Sequence, residues 1–111
     1  MEKRREDRIS KNFLVYLKED NIELLGVTSN ISKNGLFVES FKVFPSNREI
    51  YIVLAVDKDL YDIRGEVIWS TKVSDDSAED IPSGMGLKII EAPAEYWNYM
   101  EYMKYDESVM V

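Results

Sequence analysis

The chain has 111 residues, a net charge of −7, 45% hydrophobic and 12% aromatic content, and neither histidine nor cysteine. That length fits one domain with a real core, and the missing imidazole and thiol exclude Ser-His-Asp and Cys-His nucleophilic catalysis, structural zinc sites and disulfides. Residues 1–74 hold twelve basic and twelve acidic groups and residues 75–111 hold two basic and nine acidic, so the acidity is C-terminal and disfavours general binding to nucleic acid or anionic membrane.

Residues 1–12 form a charged arm, rich in cations at Lys3, Arg4, Arg5, Arg8 and Lys11. No apolar segment follows these charges, and the longest apolar run, Ile50 to Val56, is too short to span a bilayer, so a cytoplasmic protein without membrane insertion is expected. Phe13 to Leu17 reads as a first strand and, after the polar break Lys18-Glu19-Asp20-Asn21, Ile22 to Thr28 reads as a second, together a hairpin. A third strand begins at Gly35-Leu36-Phe37-Val38, and a fourth spans Glu49 to Val56. After the turn Asp57-Lys58-Asp59, a fifth runs from Tyr61 to Trp69, with Ile63, Gly65, Val67 and Trp69 alternating against Asp62, Arg64 and Glu66. A polar loop, Ser74 to Asp80, precedes a sixth strand at Met85 to Ile90. Beyond Pro93, apolar residues recur at Tyr96, Met100 and Met103, widened by Trp97 and Tyr99, which is the spacing of one amphipathic helix. Its stripe either covers an open end or side of the strands or binds a partner. The expected architecture is all-β with a C-terminal helix, a six-stranded antiparallel barrel with its helix over residues 13–105 and a short tail at 106–111.

Two short patterns carry chemistry. Arg4 and Arg8, with Arg5 between them, offer forked donors that can grip a phosphate, fork onto guanine O6 and N7, or stack on a purine. Asn30-Ile31-Ser32-Lys33-Asn34-Gly35 supplies an amide that can accept from a guanine edge, a hydroxyl that can give or take a hydrogen bond, and a glycine to relieve the turn. Each has a plain local explanation as well: charged N-termini are solvated, and Asn, Ser and Gly favour turns for their own reasons. Other constellations fail. Asp57 to Asp62 opens like a calcium loop but has Asp62 where the turn glycine belongs and Ile68 where the bidentate glutamate belongs, while Gly84-x-Gly86 lacks a third glycine and precedes a strand.

Taken together and in this order, Arg-x-x-x-Arg followed by [Asp/Asn]-x-Ser-x-x-Gly resembles the signature of PilZ domains, bacterial receptors for cyclic di-GMP. Trp69 in its Ile-Trp context, the glycine-flanked Gly84-Met85-Gly86-Leu87 and the closing helix agree, so the resemblance covers roughly Lys3 to Lys104. It implies a PilZ-like barrel without catalytic activity or cofactor, whose ligand is cyclic di-GMP. Arg4 and Arg8 would grip guanine and phosphate groups with Arg5 as an auxiliary, Asn30 and Ser32 would read a guanine edge, and Gly35 would shape the turn. Asn30 stands where many members have Asp, losing a charge but keeping an acceptor. Trp69 either stacks on guanine or belongs to the core. The output would pass to an unidentified downstream protein, from a monomer or homodimer. The alternative is a PilZ-like interaction scaffold that does not bind the nucleotide.

Overall fold

The computed structural model describes residues 8–71 and 83–109, with side chains as far as Met103. Six strands, β1 (Leu14–Glu19), β2 (Ile22–Ile31), β3 (Gly35–Ser40), β4 (Glu49–Val56), β5 (Asp59–Thr71) and β6 (Ser83–Glu91), precede one helix, α1 (Ala94–Val109). They close into a barrel in the order β1-β2-β3-β6-β5-β4, every neighbouring pair antiparallel. Closure leaves no strand edge open to pairing with another chain. The Ser74–Asp80 loop expected from the sequence lies outside the described residues.

Period two explains why these segments are strands. Along β4, Ile50, Ile52, Leu54 and Val56 are buried, and Tyr61, Ile63 and Val67 take the same side of β5. Each fully buried aliphatic or aromatic side chain contributes about 1.5–3 kcal/mol, so a one-residue slip in either strand would forfeit the core. Two tight connections set the register: β1 to β2 turns at Asp20 (φ 55°) and β4 to β5 at Asp57 (φ 56°). Aspartate tolerates this left-handed region because its short polar side chain bonds locally.

The two ends of the barrel are closed differently. The β3 to β4 connection crosses one end, burying Phe44, whose N–H donates to Met85 Sδ at 3.3 Å. At the other end, where β1, β3 and β5 begin, α1 lays its stripe over the core. Tyr96, Met100 and Met103 are all buried there, with Tyr99 edge-on to Phe13. The helix starts one residue after Pro93, whose carbonyl accepts the Tyr96 N–H at 2.9 Å, and Glu95 in its first turn favours the positive end of the helix dipole. Of the two expectations for the stripe, covering the barrel end is the one realised.

Two departures from strict alternation matter for the site. The register shifts between Thr28 and Asn30 in β2 and between Val67 and Trp69 in β5, each inserting one extra residue into its strand. Strict alternation would put Trp69 inward with Val67. The bulge turns it outward instead, leaving Val67 fully buried and Trp69 45% exposed. Likewise β2 does not stop at Thr28 but continues through Asn30 to Ile31, which pair with Phe37 and Leu36 of β3, while Ile9 bridges Ile31 from the other side with N–H to carbonyl distances of 2.8 and 2.9 Å.

Candidate functional site

Between the end of β2 and the outer face of β3, β6 and β5 lies a cleft of about 450 Å³, within the size range of small-molecule sites. Arg8, Asn30, Ser32, Gly35 and Trp69 all line it, so five residues singled out from the sequence, separated by up to 61 positions, meet in one place. Arg4 and Arg5 lie outside the described residues.

Each of the five is placed by a local device. Arg8 is exposed, but Ile9 beside it is buried and bonded to Ile31, which holds the arginine at the rim of the cleft. Residues 11–13 are tied to β2 as well. Thr28 Oγ1 donates to Lys11 O at 2.6 Å and accepts from Phe13 N–H at 2.8 Å, and Asn12 Nδ2 donates to Thr28 O at 2.9 Å. The arm anticipated as one unit over residues 1–12 is therefore anchored from Ile9 onward. Asn30 belongs to a strand and not to a turn: the β2 bulge lies between it and buried Thr28, and its amide makes no hydrogen bond to a described residue.

Ser32 is 4% exposed, and its hydroxyl is used locally, accepting the Gly35 N–H at 3.1 Å and lying 3.3 Å from Gly35 O, while Ser32 N–H donates to Gly35 O at 2.9 Å. Its carbonyl accepts a hydrogen bond from Tyr96 Oη at 2.6 Å, so α1 reaches the loop that borders the cleft. Gly35 is required for a reason other than turn torsion. No glycine in the described chain has positive φ, but a Cβ at Gly35 would stand 2.7 Å from Leu87 O, so only a bare backbone lets β3 approach β6 this closely. That corrects the expectation that Gly35 relieves the turn.

The aromatic wall follows the same logic. Trp69 pairs with Gly86, and a Cβ there would fall 2.3 Å from the indole Nε1, so the ring lies directly on the glycine. Phe37 supports it at a centroid distance of 5.3 Å. Trp69 is thus a half-exposed side chain in the cleft and not part of the core. Local reading missed Asn34, Phe37, Ile68 and Lys88, which also line the cleft. A signal existed for two of them: Phe37 alternates outward between buried Leu36 and Val38, and Lys88 between buried Leu87 and Ile89.

Charge in the cleft differs from charge in the chain. The described lining carries two cations, Arg8 and Lys88, and no carboxylate, although the chain as a whole is at −7. Screening over about 8–10 Å in physiological salt makes this local excess the field an anion would feel. Arg64, by contrast, is outside the cleft and engaged, with Glu91 at 2.8 Å and Glu49 at 3.3 Å. Among the described residues no cluster of acidic side chains could hold a metal ion.

The chain is thus a small closed barrel capped by one helix, with a cation-lined, aromatic-walled cleft on its outer face. The PilZ domain family model matches residues 2–102, and the chain belongs to that family. An inhibitor of motility from Bacillus subtilis (MotI/DgrA) superposes with a TM-score of 0.77 at 14% identity, over 98% of this chain and 53% of that one. The PilZ domain of YcgR from Escherichia coli, solved with c-di-GMP, superposes with a TM-score of 0.68 at 13% identity, over 99% of this chain and 100% of that one. These likenesses are of fold, and the chain spans about half the length of the B. subtilis protein. No curated protein matches the sequence.

Proposed function

We propose that the chain is a cyclic di-GMP receptor, a bacterial cytoplasmic signalling domain without catalytic activity that acts through protein contacts. The observation that carries this reading is the convergence of Arg8, Asn30, Ser32, Gly35 and Trp69 on one cleft whose described lining holds positive charge and no carboxylate. A cyclic dinucleotide presents purine faces, purine edges and two phosphates. Trp69 offers a face for stacking, Arg8 a fork for guanine or phosphate, and Asn30 an unengaged amide for a guanine edge. Ser32 and Gly35 serve by holding the loop beside Asn30 in place, since the serine hydroxyl is already bonded to Gly35. Arg4 and Arg5 complete the site from the arm.

In this mechanism the ligand neutralises repulsion among Arg4, Arg5 and Arg8 and draws the arm onto the barrel, altering the surface shown to a partner. The test is a melting curve with and without cyclic di-GMP. A ligand selective for the native state stabilises by about 2.7 kcal/mol at a hundred times its Kd, so a rise of several degrees is expected. No rise with high-micromolar ligand would replace the receptor reading with the scaffold one.

A further inference from the structure

Lys88 lies on the outer face of β6, exposed between buried Leu87 and Ile89. Its neighbours leave it open to the cleft. On the β3 side its register partner is Gly35, which has no side chain to screen it. On the β5 side the partner is Glu66, yet no ion pair joins the two, whereas Arg64 in the same strand is held by two glutamates. Two residues earlier along β6, on the same face, is Gly86, the floor beneath the Trp69 indole. Two strand residues span about 7 Å, so the lysine is one side-chain position away from the base platform, toward Asn34 and Gly35. In a guanylate unit the phosphate stands roughly this far from its own base, so a base lying on Trp69 brings its phosphate within reach of a flexible four-carbon ammonium.

We infer that Lys88 is a phosphate-holding residue of this cleft, pairing with the phosphodiester of the nucleotide whose guanine stacks on Trp69. The inference rests on the cyclic di-GMP reading and adds to it a cation that lies outside both sequence patterns. The division of labour follows from the two cations' chemistry. Arg8 needs two acceptors spaced to match its fork, while Lys88 acts as a point charge and can donate to a phosphate in many orientations. Lys88 therefore discriminates by charge, favouring a ligand with phosphates over the bare nucleoside.

The test compares cyclic di-GMP binding by the parent, Lys88→Gln, Lys88→Arg and, as a control, Arg64→Gln, by calorimetry at low and at moderate salt. Lys88→Gln should raise Kd about five- to twentyfold, Lys88→Arg should recover most of that loss, and Arg64→Gln should stay within about twofold. The salt dependence of Kd should flatten in Lys88→Gln, because one screened contact is gone, with the melting temperature of the free protein unchanged. A parent that binds while Lys88→Gln binds equally well, with the same salt dependence, overturns the role of Lys88 alone. A parent that does not bind overturns both this inference and the reading beneath it.

Discussion

Tyr96→Phe tests the link between α1 and the loop at the cleft. The Tyr96 ring is fully buried, edge-on to Tyr61 at 6.1 Å and to Trp97 at 5.3 Å, and its hydroxyl donates to Ser32 O at 2.6 Å. Phenylalanine keeps the ring and these two aromatic contacts and removes the hydroxyl that donates to the carbonyl of a buried residue. Leaving a buried acceptor short of a partner costs about 1–3 kcal/mol. For a domain of this size each kcal/mol lowers the melting temperature by about 4–6 °C, so a drop of roughly 4–18 °C is expected. Tyr96→Ala, which also empties the ring's volume, should cost about 3–5 kcal/mol and serves as the upper reference. Denaturant unfolding followed by circular dichroism measures both, and an unchanged m-value would show that the native and unfolded states expose the same surface as before. Because the hydroxyl holds the Ser32 to Gly35 loop, the affinity for cyclic di-GMP should weaken as well. Melting within about 1 °C of the parent would refute the reasoning, since it would mean that the hydroxyl is not committed to Ser32 and that α1 does not brace the loop.

Other outcomes follow from the same geometry. Trp69→Ala should weaken cyclic di-GMP binding by about 1–3 kcal/mol, roughly five- to a hundredfold in titrations, with little change in stability because the indole is half exposed. Arg8→Ala should cost about tenfold to a hundredfold in Kd and leave the free fold intact, while Arg8→Lys should restore only a small part of the loss because the fork is missing. Gly35→Ala should destabilise the barrel by about 1–3 kcal/mol in denaturant titrations, since the new Cβ meets a backbone oxygen that cannot swing away. Burial, with help from Asp59 and Glu95, raises the Tyr61 hydroxyl above its ordinary value of 10.0, and burial raises Tyr99 too. A raised folded-state value means that the unfolded chain releases these protons first. The associated stability is intact below pH 10 and lost as pH climbs beyond it, so alkaline melts should fall less steeply in Tyr61→Phe.

Much of the fold was legible because its strands are short and periodic. Ile50, Ile52, Leu54 and Val56 announce β4, and Tyr96, Met100 and Met103 announce the buried face of α1. The bulges were not legible, since an extra residue in a strand leaves no mark in local composition. Alternation from Val67 alone would carry Trp69 inward, which is why the sequence left its placement open. Asn30 was assigned to a turn for a similar reason: β2 resumes its pairing with β3 only beyond the bulge after Thr28, and the Ile9 to Ile31 bridge beside it joins residues 22 positions apart. The reason for a glycine at position 35 was not legible either, because closeness to Leu87 O is a property of the assembled sheet. Lys88 was visible as an outward residue of β6, but nothing in its own neighbourhood says that a cleft lies there. It takes the closing of β3 against β6, and of β5 beyond, to put that cation beside Trp69.

The most direct test of the receptor assignment is calorimetric titration of the purified chain with cyclic di-GMP, run beside a short single-stranded oligonucleotide. The account predicts saturable binding of the cyclic dinucleotide that weakens only modestly between about 50 and 500 mM salt, because forked hydrogen bonds and stacking survive screening, with no comparable binding of the oligonucleotide. Binding of both at low salt that vanishes at high salt would contradict it, leaving a non-specific anion-binding surface where a nucleotide receptor is claimed.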